Sequence, residues 1–170
     1  AVAVNNHHVR HTARRNARRR TVPVEPLFAY LHLVASGLAA GLVIAEYWAQ
    51  SRAIDRRQAR LLAALDLNYL LALATAAATG IARVMQHPAG AAFYLAGDLF
   101  RTKLAVFALL LAGALPASML IARWHREARS APSFAPLPRE AASLRACLVL
   151  ELACFALLPL PSVFMAASLD

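Results

Sequence analysis

Residues 27–45 read LFAYLHLVASGLAAGLVIA, and no residue in this stretch carries a formal charge. His32 is the one side chain within it that titrates near neutral pH. A run of about 20 predominantly apolar residues forms a helix long enough to cross a bilayer. The run also lacks the apolar–polar alternation of membrane barrel strands. It therefore predicts a transmembrane helix.

Three further apolar blocks follow this one. The chain has 170 residues, of which 60% are apolar, whereas soluble domains average about 45–50%. The blocks predict helices at about 27–48, 61–85, 99–121 and 146–169. We predict an all-α integral membrane four-helix bundle over residues 25–170, after a basic tail of residues 1–24. This composition excludes an ordinary cytoplasmic enzyme and a secreted disulfide scaffold.

Positive charge is concentrated in the N-terminal tail. Of the net charge of +9, six units belong to arginines that precede the first acidic residue. They are Arg10, Arg14, Arg15, Arg18, Arg19 and Arg20. Arginines suit an acidic protein surface or lipid phosphates, so we expect the tail to bind a partner subunit or lipid, and not nucleic acid. The first and third loops carry nine basic residues on the opposite side of the membrane, so the positive-inside rule leaves the orientation undecided.

Small residues recur at four-residue spacing, which lets membrane helices approach closely. The pairs are Gly37 and Gly41, Ala76 and Gly80, and Gly113 and Ala117. They predict helix packing, either within the bundle or between copies of the chain. Pro159 and Pro161 predict a break or kink near the middle of the fourth helix. Residues 86–98 predict a turn with a short interfacial stretch, and Trp48 and Trp124 are expected to be interfacial aromatics that close the first and third helices at one membrane face.

Antiparallel helices sort the polar residues into two layers. His32, His87 and Lys103 belong to the layer near the N-terminal face, where the histidines suit haem b ligation and the lysine a propionate or a lipid headgroup. The alternative is that His32 hydrogen-bonds a neighbouring helix, His87 caps a helix end, and Lys103 extends to the interface.

The opposite layer contains three carboxylates inside predicted helices, Glu46, Asp66 and Glu151. Ionisable groups within membrane segments are candidates for function, and these three suit a proton path. The alternative is that they pair at the interface with Arg57, Arg123 or Arg145. The sequence shows no nucleophile–base pair, phosphate loop or closed metal site, which argues against an enzyme.

Several stretches carry a resemblance to known proteins. They are LFAYLHL at 27–33, DLNYL at 66–70, TGIAR at 79–83, and GAAFYLAGDLF at 90–100, followed by Lys103 and Arg123-Trp124. Over about residues 25–168 the chain resembles a family of uncharacterised four-helix bacterial membrane proteins. It is more distantly similar to the copper-resistance-protein-D-like group, which includes the haem-associated membrane protoporphyrinogen oxidase. That similarity implies roles for His32 and Lys103 at a haem.

Three functions remain open at this stage. The first is an accessory or structural subunit of a larger complex in the bacterial inner membrane, with a photosynthetic or respiratory electron-transfer assembly as the expected setting. Its partners would be other membrane subunits and lipids. The second is a haem-binding redox protein that uses His32, His87 and Lys103. The third is a small transporter or proton conductor.

Overall fold

The computed structural model describes residues 24–86, 90–131 and 134–167. The basic tail, with its six arginines, and His87 lie outside this part of the chain. The described residues are almost entirely helical, which confirms the all-α fold class. The helices are α1 (Val24–Gln50), α2 (Arg56–Gln86), α3 (Gly90–Ala96), α4 (Asp98–Ser130), α5 (Pro138–Leu157) and α6 (Pro159–Ala167).

Four segments are long and apolar enough to cross a membrane. They are Glu25–Gln50, Arg56–Gln86, Asp98–Ser130 and Pro138–Pro161. They fit a multi-pass membrane protein and confirm the four predicted spans.

The helices extend beyond the predicted apolar blocks. The 33 residues of α4 make a helix of about 50 Å, whereas the hydrocarbon core is about 30 Å thick. The added turns carry arginines such as Arg126 and Arg129. Arginine is a good helix former, so the end of an apolar block does not end the helix.

The long helices form a ring. Helix α1 packs mainly on α2, and α4 mainly on α5, while contacts between α2 and α4 and between α1 and α5 close the bundle. Alanine and leucine fill the interior, for example Ala39, Leu62 and Leu110. Large apolar side chains such as Leu33 and Met119 point outward. An apolar exterior around a small interior is what a lipid environment favours.

Two connections differ in detail from the sequence predictions. The segment after α2, predicted as a turn with a short interfacial stretch, includes the short helix α3. The Arg101 guanidinium donates hydrogen bonds to the carbonyls of Leu95 and Ala96, at 2.9 and 3.1 Å, which joins the end of α3 to α4. The break predicted at Pro159 and Pro161 is present, but it lies at Leu158, near the end of the fourth span. Proline is tolerated in the first turn of a new helix, and α6 begins at Pro159.

Trp124 corrects one expectation about the membrane surface. It was expected to be an interfacial aromatic, like the exposed Trp48, but it is buried. Its Nε1–H donates a hydrogen bond to Glu140 Oε2 at 3.0 Å. Arg123 forms an ion pair with the other carboxylate oxygen of Glu140 at 2.6 Å. These contacts link the end of α4 to the beginning of α5.

Candidate functional site

The interior of the bundle contains three carboxylates, which we call the acidic cluster: Glu46 on α1, Asp66 on α2 and Glu151 on α5. Their exposed fractions are 1%, 7% and 0%. The chain reverses direction between α1 and α2, which brings Glu46 to the level of Asp66, and α5 supplies Glu151 from the other side of the bundle. The three are close enough for their charges to interact.

Two hydroxyl groups belong to the same layer. Ser118 on α4 donates a hydrogen bond to Asp66 Oδ1 at 2.6 Å. The hydroxyl of the buried Tyr69 is close enough to Glu151 for the two groups to interact, but no hydrogen bond of ordinary geometry joins them. All four long helices therefore contribute polar side chains to this layer.

Several buried polar atoms here have no hydrogen-bond partner within the described part of the protein. They are Glu46 Oε1, both carboxylate oxygens of Glu151, the Tyr69 hydroxyl, and Gln50 Nε2 one turn beyond Glu46. Buried polar atoms are nearly always satisfied by protein or by ordered water. Together these unpartnered atoms provide the hydrogen-bonding partners that an internal water molecule needs.

The expected pairing of these carboxylates with arginines is wrong for the residues that the structure describes. The ion pairs found there join Arg101 to Asp98, and Arg123 to both Glu127 and Glu140. Arg145 lies over the ring of Tyr47 and donates to Ser51 Oγ. Arg123 and Arg145 lie toward the end of the bundle that contains Ser51, beyond the level of the acidic cluster, whereas Arg101 lies near the opposite end.

A multidentate metal site is not found in the described residues, because no group of three or more His, Cys, Asp or Glu side chains there could hold a metal ion. The two cysteines are free thiols, with Cys154 buried and Cys147 half-buried. The acidic cluster therefore offers carboxylates that interact through charge but do not converge on one ion.

The His32 ring contacts α2 at Ala76 and Thr79, and Thr79 lies about two turns before the end of that helix at Gln86. Its Nδ1 lies 2.7 Å from the carbonyl oxygen of Ala76. A carbonyl only accepts, so Nδ1 carries the proton and Nε2 is left with the lone pair in the neutral ring. A Cβ on Gly80 would stand 3.1 Å from His32 Cε1, so glycine leaves the room that this ring occupies.

This geometry bears on the predicted haem site. The hydrogen bond to α2 matches the alternative in which His32 joins neighbouring helices. A hydrogen bond from one ring nitrogen also fixes the orientation of histidines that bind a metal through the second ring nitrogen, which here is Nε2. The charges of the half-buried Lys103 and of Arg83 act on His32. In the described part of the site His32 would hold a haem through Nε2, with Lys103 and Arg83 nearby, and the second proposed ligand, His87, lies outside that part.

The small-residue pairs have different surroundings. Ala76 and Ala117 are buried, and a Cβ on Gly113 would stand 3.3 Å from Glu151 Cγ and 3.4 Å from the Cys147 carbonyl. By contrast, Gly37 and Gly41 are exposed, and a Cβ on either would meet nothing within 4 Å. The first pair of glycines therefore makes no close contact with another helix among the described residues.

Sequence reasoning found the three carboxylates but missed Gln50, Tyr69 and Ser118. Their spacing along the helix could have identified two of them. Gln50 follows Glu46 by four residues and Tyr69 follows Asp66 by three, so each shares a helix face with an acid. Ser118 has no such neighbour, and only the contact between α2 and α4 reveals it.

Comparison with known proteins gives one match. A family described as "Predicted membrane protein (DUF2214)" matches residues 24–169. No curated protein and no solved structure matches the chain. Because the match covers nearly the whole chain apart from the basic tail, the chain belongs to the DUF2214 family of predicted membrane proteins.

Proposed function

We propose that this chain is a multi-pass protein of the bacterial inner membrane that binds and releases protons at its acidic cluster. One observation carries the proposal. Three carboxylates from three helices are buried together, and the ion pairs of the arginines in the described part of the chain go to other carboxylates. Proton binding is a more specific form of the third function considered from the sequence, a small transporter or proton conductor.

The energetic argument concerns charge inside a bilayer. An unpaired acidic side chain at the centre of a membrane helix costs about 2.5–3.5 kcal/mol on insertion scales. Neighbouring carboxylates add mutual repulsion, which one shared proton relieves. Proton uptake removes both costs without a counter-ion. The Tyr69 hydroxyl and the unpartnered oxygens of Glu46 and Glu151 supply hydrogen-bonding groups through which protons can move.

The test counts exchanged protons. Purified protein in a weakly buffered detergent solution is moved between mildly acidic and mildly alkaline pH, and an indicator dye reports the protons taken up. We expect Glu46→Gln, Asp66→Asn and Glu151→Gln each to reduce uptake near neutral pH. Glu127→Gln is the matched control, because Glu127 is an exposed carboxylate at the end of α4. Equal uptake near neutral pH by the wild type and the cluster variants would contradict the proposal.

A second candidate is the role of accessory subunit in a membrane complex. The open face of Gly37 and Gly41 favours it, because no helix in the described part of the chain packs against this glycine pair. We expect Gly41→Leu to weaken association with partner proteins in mild detergent. Ala78→Leu, at an exposed alanine on α2, serves as the control. Unchanged association in Gly41→Leu would remove this face from consideration.

A further inference from the structure

We infer that the acidic cluster exchanges protons with water at only one end of the bundle, the end formed by the α1–α2 connection at residues 51–55. This inference rests on the proposed proton binding and adds the side from which protons arrive. It also assigns a role to Gln50, which lines the route between Glu46 and that end.

The first observation is the position of Gln50. It is the last residue of α1 and stands one turn beyond Glu46 on the same helix face. Its exposed fraction is only 6%, yet its amide nitrogen has no hydrogen-bond partner among the described residues. One helical turn is about 5.4 Å. A single buried polar side chain therefore bridges the distance between Glu46 and the end of α1.

The second observation is the polar character of that end. The Gln58 amide donates to the Ala49 carbonyl at 2.6 Å, and Asp55 Oδ1 accepts from the Gln58 backbone N–H at 2.7 Å. Ser51 bonds to the Tyr47 carbonyl and receives the guanidinium of Arg145. Water at this end consequently meets hydrogen-bonding groups up to the position of Gln50.

The third observation is an apolar layer in the opposite direction. Between Tyr69 and Thr79, α2 advances by ten residues, which is about 15 Å. Among the described residues, the buried side chains that α2 contributes between these positions are Ala72, Leu73 and Ala76. The neighbouring helices add Ala39, Val43, Leu110, Ala114 and the weakly polar thiol of Cys154. Protons need water or polar groups to move, and this layer supplies neither from its buried side chains. The route toward His32 and Thr79 is therefore closed in this structure.

These three observations make the cluster a one-sided site. A proton enters and leaves past Gln50, and passage to the His32 side requires a rearrangement that opens the apolar layer. The structure consequently describes a proton-binding site with a single entrance, and not a continuous pore across the membrane.

Cysteine accessibility tests this inference. Single cysteines are placed at Glu46, Gln50 and Leu73 in a chain that carries Cys147→Ala and Cys154→Ala, and each protein is reconstituted in liposomes. The probe is a small, membrane-impermeant, positively charged methanethiosulfonate. Ser51→Cys and Asp98→Cys mark the two ends of the bundle, because both positions are exposed. Circular dichroism establishes that each variant is folded.

We expect Glu46→Cys and Gln50→Cys to react from the same side as Ser51→Cys. The equally buried Leu73→Cys should react at least about tenfold more slowly, because a charged reagent is costly to place in apolar surroundings. Reaction of Glu46→Cys from the Asp98 side, fast reaction of Leu73→Cys, or inert cysteines at both 46 and 50 would overturn the inference. If Glu46→Cys does not fold, Gln50→Cys against Leu73→Cys decides the question.

The outcome separates this inference from the proposed function. Thiol modification reports water access and does not depend on whether the native carboxylates hold protons. Access from one side with no proton uptake by the cluster would leave the entrance established and the proton function refuted. Proton uptake by the cluster together with access from the Asp98 side would support the proton function and refute the inferred entrance.

Discussion

The acidic cluster makes the stability of the bundle depend on pH, and Glu151→Gln exposes that dependence. Glu151 is fully buried, and neither of its carboxylate oxygens has a hydrogen-bond partner among the described residues. Glutamine has nearly the same shape as a protonated glutamic acid but carries no titratable proton. The substitution therefore removes one of the three titratable groups of the cluster while it preserves the packing against Gly113.

The magnitude follows from proton linkage. If the folded protein holds one proton that the unfolded chain releases, the free energy of unfolding falls by about 1.4 kcal/mol for each unit of rising pH. The sign is fixed, since the folded state binds more protons and higher pH favours the unfolded state. Over two pH units the loss is about 2.7 kcal/mol, which is similar to the cost of about 2.5–3.5 kcal/mol for an unpaired acid at a helix centre.

Unfolding in mixed micelles with increasing SDS measures this effect. The fluorescence of the buried Trp124 reports unfolding, in a Trp48→Phe background that removes the exposed tryptophan. We expect wild-type stability to fall by about 2–3 kcal/mol between pH 6 and pH 8, and the loss to be smaller in Glu151→Gln. A flat wild-type profile, or an undiminished slope in Glu151→Gln, would refute the reasoning.

Three further predictions follow from other contacts. Gly80→Val should displace the His32 ring and abolish the NMR signal of its hydrogen-bonded Nδ1 proton, whereas Gly41→Val, which faces open space, should leave that signal unchanged. Glu140→Ala should expose the Trp124 indole, shift its emission to longer wavelength, and speed proteolysis between α4 and α5; an unshifted emission would contradict the role of this contact. The resemblance to haem-associated proteins predicts a Soret band in the purified protein that His32→Ala removes, and a colourless wild-type protein would count against haem.

The fold was predictable because the membrane imposes a simple constraint. The uncharged stretch at 27–45 requires a helix of spanning length, and α1 contains all of it. The helix ends were less predictable. Arg123 closes an apolar block in the sequence, yet α4 continues to Ser130, because contacts of Trp124 and Arg123 with Glu140 support the additional turns.

The site was predictable only in part, since the residues that charge alone identifies are the acids themselves. Sequence reasoning expected arginine partners for Glu46 and Glu151, because nearby loops are rich in arginine. Which side chains meet depends on the rotation of each helix about its axis, and the sequence does not specify that rotation. Gly37 and Gly41 show the same limit, since their spacing predicts close packing but the bundle turns this face outward.

Infrared spectroscopy tests the central claim, proton binding by the acidic cluster, most directly. The difference spectrum compares the wild type with the Glu46→Gln/Asp66→Asn/Glu151→Gln variant at neutral pH, in lipid. We expect a C=O stretch of protonated carboxylic acid that is present in the wild type, absent from the variant, and lowered in frequency by deuterium exchange. A difference spectrum that contains only ionised carboxylate bands would contradict the claim.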